Sequence, residues 1–471
     1  MERFVAQGLS LIISIIIARI LLPSDYAIVS IVTIFFTFAN VLISGGFNTA
    51  LIQKKDAKAE DYSSVLYLSL FLSILVYSIL FLGAPFIANI YHLEELILVI
   101  RIMGLSLPIT AFKSIWCAFI SSHFMFKKFF FATLGGTIVS GIVGIGMALK
   151  GFGPWALITQ QMVNTIIDTI LLVLTTRIGL VFKVSLSKLK ELYKYGWKIL
   201  VSSLLGTTYA EITPLFIGIK FSANDLSFYS KGKSFPSMLS SSVTNTLSAV
   251  LFPFLSKYQD DKKQVLEYTR RYMQIASFVI FPVMLGFFAI SNSFVRVVLT
   301  DKWLPSVYFI QVFCICYMFD VVAIGNCETI KAIGRSDVYL VIEIIKKSCY
   351  GVTLALFIIF ADSPKIITAA YLVCTVIQVA VNCVPNIKLI NYRFKDQVLD
   401  LLPNLLISSL MCAVVCLVGQ IRINAFWLLV IQVLSGIVFF VLCCLITNNK
   451  SYRYCINLIK ERLTKSERKG L

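Results

Sequence analysis

Apolar residues run along this chain in long continuous blocks, each closed by a short polar or breaker-rich turn. Blocks such as 65–90 and 426–446 reach the roughly 20 apolar residues that a helix needs to cross a hydrocarbon core. Continuity of the runs, without strict alternation, argues for helices and against a strand barrel. Fourteen spans are expected, at about residues 4–22, 26–52, 64–90, 96–121, 129–149, 154–176, 195–219, 225–256, 268–299, 305–330, 337–361, 365–387, 399–419 and 425–447. Leu22-Pro23-Ser24, Gly151-Phe152-Gly153-Pro154 and Asp362-Ser363-Pro364 are breakers at the expected turns. No long polar insertion interrupts the series, so the pattern predicts no extramembrane catalytic domain. The fold class expected is all-α, a polytopic integral membrane protein of about fourteen transmembrane helices.

Composition agrees with this pattern. Of 471 residues, 58% are hydrophobic and 14% charged, with a mean hydropathy of +0.87, whereas a soluble domain carries about a quarter charged residues. Residues 1–22 read as a span and not as a cleavable signal, because Arg19 and Pro23 stand where small residues would be cleaved. A chain that opens almost inside a span leaves room for a short cytoplasmic lead-in ahead of Met1. All cysteines but Cys117 fall after residue 300, nearly all inside apolar spans and without a CxxC pair, so they read as small hydrophobes. No cofactor- or metal-binding pattern and no phosphate-binding GxxxxGK[ST] loop is present in the sequence.

The net charge of +18 would raise the question of nucleic acid in a soluble protein. Here the basic residues crowd into alternate loops: 53–63, 122–128, 177–194, 257–271, 331–336, 388–398 and the tail 448–471. The opposite loops hold only Lys150, Lys220, Lys302, Lys365 and Arg422. The asymmetry places the first set, and both termini, on the cytoplasmic side. Nucleic acid is therefore not an expected partner, whereas membrane lipid is.

The chain also repeats itself. Ser30, Thr33, Thr37, Asn40 and Ser44 form one polar stripe on the second span, and a constant offset of 204 residues gives Ser234, Ser237, Ser241, Thr244 and Ser248 on the eighth. An even number of spans separates the copies, so the halves are expected to share orientation as a parallel repeat. The domains expected are an N-lobe at 1–180, a C-lobe at 181–392, two further spans at 393–450 and a basic cytoplasmic tail at 451–471.

Two registered stripes fit a shared polar cleft, although a single intramembrane serine is often only a back-bond to its own helix. Charged groups within spans are costly and are functional candidates. Lys231 and Lys233 flank the eighth-span stripe and suit an anion such as a diphosphate, with snorkelling to the outer surface as the competing reading; Arg19 offers the same choice. Lys113 lies deeper, with Ser106 and Thr110 on its face. Asp168 and Glu211 are candidates for a cation or proton site, with Asp320 and Glu328 as further carboxylates, whereas Glu343 pairs locally with Lys346 or Lys347.

The chain resembles the Wzx-type polysaccharide flippases, in the lipopolysaccharide/colanic-acid exporter subgroup of the multidrug/oligosaccharidyl-lipid/polysaccharide exporter superfamily. The resemblance is carried by Ala18-Arg19-Ile20-Leu21-Leu22-Pro23-Ser24-Asp25-Tyr26, by Gly45-Gly46-Phe47-Asn48-Thr49-Ala50-Leu51-Ile52-Gln53-Lys54, by Gly151-Phe152-Gly153-Pro154-Trp155-Ala156-Leu157 and by Tyr195-Gly196-Trp197. It implies a bacterial inner-membrane flippase, not an enzyme. Such a protein moves an undecaprenyl-diphosphate-linked oligosaccharide to the periplasmic leaflet for O-antigen, capsule or exopolysaccharide synthesis, alongside a polymerase machinery. It also implies a central cationic cavity, for which Arg19, Lys231 and Lys233 fall in suitable spans; the second span departs from that pattern, with no basic residue before Lys54. A cation-coupled multidrug antiporter of the same superfamily and a membrane-embedded glycan polymerase or ligase are the alternatives.

Overall fold

A computed structural model describes residues 2–44, 46–54, 57–176, 178–181, 183–449 and 451–454. Gly45 of the second quoted motif and residues 455–471 of the basic tail lie outside the described residues. The described chain is helical, as lipid requires: without water, each backbone N–H and C=O must be satisfied within its own segment. Among the described residues, twelve helical spans are long and apolar enough to cross a membrane. Two more of the expected spans coincide with helices that fall outside that set. Of these, α1 (Glu2–Ile20) is apolar only over Gln7–Ile20, and α14 (Ser336–Phe360) carries Asp337, Glu343, Lys346 and Lys347. Glu343 and Lys346 form an ion pair on that helix. Side chains such as Leu82, Phe86, Leu174 and Ile446 are largely exposed, which suits a surface facing acyl chains.

Local chemistry sets the helix ends. Prolines open α2 (Pro23–Ser44), α8 (Pro154–Thr175) and α15 (Pro364–Leu389), where the missing N–H costs nothing. Asp261 accepts from the N–H groups of Lys263 and Gln264 to cap α11 (Lys262–Phe294), and Asn424 caps α17 (Ala425–Ile446). Three expected spans are broken; that at 305–330 parts at Phe319, and the other two lie earlier in the chain. The span at 26–52 ends as α2 at Ser44 and resumes as α3 (Phe47–Gln53), with Gly46 between them at φ +77°. The span at 96–121 is α5 (Glu95–Gly104) followed by α6 (Ser106–Ser122). Pro108 explains the second break, since its ring clashes with the carbonyl of Gly104, four residues back. Tyr77 of α4 (Ala59–Tyr91) fills the opening: its ring lies against Gly104 and its hydroxyl donates to the Arg101 carbonyl at 3.0 Å.

The contacts divide the chain between Ser227 and Phe228, a different position from the expected lobe boundary at 180/181. In the first unit, α9 (Leu186–Lys220) packs on α2, α3 and α4, and α7 (Phe126–Leu149) packs on α8. One apolar cluster, including Phe47, Leu51, Tyr62, Ile115, Trp116, Leu172 and Leu192, ties α3, α4, α6, α8 and α9 together. The linker after α8 is held to α4 by Ser63 and Ser64, whose hydroxyls accept from the N–H groups of Val181 and Ser185 at 2.9 and 3.0 Å. Lys54, just past α3, bonds Glu191 of α9 at 2.9 Å and Asp61 of α4 at 3.2 Å. Partial burial pulls the Lys54 pKa down, but its hydrogen bonds to the two carboxylates outweigh this and hold it above the ordinary lysine value.

The second unit contains α10 (Ala223–Lys257) from Phe228 onward and α11, then α12 (Ser306–Met318), α13 (Asp320–Ala332), α14, α15, α16 (Phe394–Val418) and α17. Helix α11 runs into a π turn at Val295–Leu299 that ends at Thr300, a non-glycine residue with φ +80°. The long seam between α11 and α16 is polar. Asp400 receives the Arg270 guanidinium in two bonds of 2.7 and 3.0 Å, Gln274 Nε2 at 2.7 Å and the Tyr392 hydroxyl at 2.8 Å. One turn on, Asn404 donates to Ser277 Oγ at 2.8 Å and accepts from Asn449 at 3.0 Å. A second buried chain joins Asn386, Asn326 and Gln397.

A Cβ on Gly46 would lie 2.1 Å from the Gly196 carbonyl oxygen, and the positive φ adds strain. Gly46→Ala should therefore cost at least about 1 kcal/mol; Gly83→Ala, with open space around it, should be near neutral. Asp400→Ala strands four donor groups on three side chains. Because the Arg270 side chain is 41% exposed, the loss should be about 2 kcal/mol, below the usual penalty for a fully buried pair. Thermal unfolding in detergent micelles reads each value.

Candidate functional site

Within the first unit, α2, α3, α6 and α8 line an open cavity of about 450 Å³. A smaller one of about 160 Å³ shares Asn40, Thr110 and Thr165 with it and extends to Thr33, Thr37 and Gln161. The α2 stripe enters because its polar residues recur at three- and four-residue steps and so share one helix face. Helix α6 contributes Thr110, Lys113, Ser114, Cys117 and Ser121 by the same spacing, and α3 contributes Asn48.

Most hydroxyl hydrogens in this wall point away from the cavity chemistry. Thr33 donates to the Val29 carbonyl at 2.7 Å, Thr37 to Thr33 at 2.8 Å, Ser106 to Met103 at 2.6 Å, Thr110 to Ser106 at 2.9 Å, Ser114 to Ala111 at 2.7 Å and Thr165 to Gln161 at 3.0 Å. Each oxygen keeps lone pairs and has already spent its proton. Asn40 Oδ1 and Asn48 Oδ1 are buried and without a hydrogen-bond partner among the described residues. The wall is therefore rich in acceptors.

Lys113 is the one charged residue among the described residues of the wall, and its ammonium is ion-paired with Asp168 of α8. Asp168 is 3% exposed, and its second oxygen, Oδ1, has no partner among the described residues. Glycine at 136 lets α7 approach α8 there, its virtual Cβ lying 3.3 Å from Asp168 Cβ. Asn164 of α8 bonds Ser140 of α7 at 3.2 Å, securing the same turn. The two charges cancel locally, so this cavity is polar without being cationic.

The structure thus brings Thr33, Thr37, Asn40 and Lys113 to one place, with Asp168 immediately behind. Ser30 and Ser44 lie on the same helix outside the two cavity walls, and Ser44 donates to the Asn40 carbonyl at 2.7 Å. Arg19, in the last turn of α1, is exposed. Glu211, on α9, is half-buried and outside both walls. Asn48, Ser114, Ser121, Gln161 and Thr165 were not singled out from sequence. The signal for Gln161, Thr165 and Asp168 was present as another three- and four-residue recurrence; Asn48 was hidden by the unforeseen break at Gly46.

In the second unit, Lys231 is 7% exposed, its Nζ 5.7 Å from the Phe235 ring centre and 5.8 Å from that of Trp303. Aromatic faces attract a cation, so this environment holds the ammonium in place and argues against snorkelling. Lys233 is half-buried, with Nζ 6.0 Å from the Tyr229 ring centre. Between them Gly232 lets α10 press on α12, its virtual Cβ only 2.4 Å from Phe309 Cβ. Ser234 is exposed and donates to the Lys231 carbonyl at 2.8 Å. Ser237, Ser241 and Ser248 are half-buried, and Thr244 is buried with its hydroxyl on the Ser240 carbonyl. Ser240 Oγ in turn donates to Asp320 at 2.9 Å. No group of three or more His, Cys, Asp or Glu side chains suited to a metal occurs among the described residues.

Comparison with known proteins agrees with this architecture. A membrane protein of the cps region of Klebsiella pneumoniae is 26% identical over 330 residues, 68% of this chain and 67% of that protein. The teichuronic acid biosynthesis protein TuaB of Bacillus subtilis (strain 168) is 24% identical over 307 residues, 64% of this chain and 62% of its own length, so the match spans less than two thirds of that relative. The solved structure of the lipid II flippase MurJ in an inward closed conformation superposes with a TM-score of 0.78 at 16% identity, covering 97% of this chain and 98% of that one, a likeness of fold. The sequence profile described as polysaccharide biosynthesis protein matches residues 16–308, well over half of the chain. This chain belongs to the polysaccharide biosynthesis protein family.

Proposed function

We propose that this protein is a flippase that carries a lipid-linked oligosaccharide across the bacterial inner membrane for surface polysaccharide synthesis. The observation that carries the reading is a polar, hydroxyl- and amide-lined cavity inside a many-span helical fold of a polysaccharide biosynthesis family. A cavity of this chemistry lowers the cost of bringing a sugar chain through hydrocarbon, while the lipid anchor stays among acyl chains. The carrier is taken to be undecaprenyl diphosphate and the mechanism alternating access of two lobes, 1–180 and 181–392, with both termini cytoplasmic. Polymerase proteins acting on the delivered glycan are the partners that fit this role.

The diphosphate needs donors and positive charge. Lys231 and Lys233 supply both, and the aromatic rings around Lys231 keep its ammonium within the fold, away from bulk water. The pairing of Asp168 with Lys113 weighs against a drug/cation antiporter built on that carboxylate, because its charge is already balanced.

Deleting the gene should abolish the surface polysaccharide and accumulate its lipid-linked precursor, with restoration by the intact chain. Raised drug sensitivity with unchanged glycans would instead support the antiporter. Lys231→Gln and Lys233→Gln, singly and together, should each lower surface polysaccharide at unchanged protein level, the pair most strongly. Wild-type polysaccharide from the double variant would remove these lysines from the site.

A further inference from the structure

We infer that the cavity of the first unit is a subsite for neutral, hydroxyl-bearing sugar residues and not for the diphosphate, a refinement that rests on the flippase reading. A diphosphate at neutral pH offers only acceptor oxygens and demands donors or cations. The wall has no unbalanced cation among its described residues and few hydroxyl protons to give. Thr33, Thr37, Thr110 and Thr165 have each spent the hydroxyl proton on a carbonyl of their own helix. The Lys113 ammonium is ion-paired with Asp168, which cancels the charge that would draw an anion in.

What remains on offer is uncharged: the lone pairs of those threonine oxygens and the carboxamides of Asn40, Asn48 and Gln161, with the Asn40 and Asn48 oxygens unpartnered among the described residues. A sugar ring presents several O–H donors, each of which also accepts, and the amide nitrogens of Asn40, Asn48 and Gln161 can answer its oxygens. Phe36, in the wall of the smaller cavity, adds an apolar surface for the C–H face of a ring. The threonine hydroxyls are fixed on their helices by these back-bonds, so their ordering cost is met before the ligand arrives.

Cys117 stands in the same wall and reports on occupancy. In purified protein in lipid nanodiscs, alkylation of Cys117 by N-ethylmaleimide is followed by peptide mass spectrometry, with Cys416, exposed on α16, as the internal control. A panel of neutral free tri- and tetrasaccharides is compared with inorganic diphosphate at equal concentration. At least one neutral glycan should slow alkylation of Cys117 about threefold at twice its dissociation constant, without slowing that of Cys416, and diphosphate should not. Thr110→Val, which removes an acceptor at constant shape, should reduce the protection, and Thr110→Ser should keep it. Protection by diphosphate, or by no sugar of the panel, overturns the inference. Because the readout is binding, it separates from the transport reading: protected Cys117 with surface polysaccharide unaffected by gene deletion defeats the flippase and leaves the subsite. Lost polysaccharide with unprotected Cys117 does the reverse.

Discussion

The rest of this structure depends on one constraint: inside a bilayer there is no water to satisfy a polar hydrogen. The backbone answers by forming helices. Side chains answer in the same way, and the consequence reaches the cavity. A threonine on α2 or α6 gives its proton to a carbonyl one turn back, so the helix carries a hydroxyl oxygen stripped of its donor. A row of such residues makes a surface that is wet in composition but one-sided in chemistry. Carboxamides restore part of the balance, and the ion pair of Lys113 with Asp168 supplies a charged pair with no net charge.

That constraint also separates two kinds of basic residue. Lysines and arginines at helix ends pair with acidic neighbours, as Lys54 does with Asp61 and Glu191, and fasten α3 to α4 and α9. Lys113 and Lys231 lie within spans and are handled differently. One is matched by a carboxylate; the other is enclosed by the rings of Phe235 and Trp303. Their settings differ in chemistry: one ammonium is balanced by a carboxylate beside a polar cavity, and the other lies against aromatic faces.

Much of the fold was legible because span length and apolar continuity are long-range signals. Each expected span coincides with a helix or a broken pair of helices. The breaks were not foreseen: Pro108 sat within an apolar run, and Gly46 within a motif that read as the end of a span. The α2 stripe was legible as a periodicity, and three of its members reach the cavity. Which carboxylate partners Lys113 was not, since 55 residues separate it from Asp168 and only packing of α6 on α8 joins them. The stripe Gln397, Asp400 and Asn404 on α16 was likewise passed over, although its spacing is helical. It serves the α11–α16 seam, where buried polar groups find partners in one another.

The most direct measurement of the account is leaflet transfer by the purified chain. A fluorescent undecaprenyl-diphosphate-linked oligosaccharide is placed in proteoliposomes, and a membrane-impermeant lectin or quencher reports its arrival at the opposite face. The account predicts transfer that depends on the protein, falls with Lys231→Gln/Lys233→Gln, and does not extend to a drug-like cation offered in its place. Cation transport with no movement of the lipid-linked sugar would contradict it.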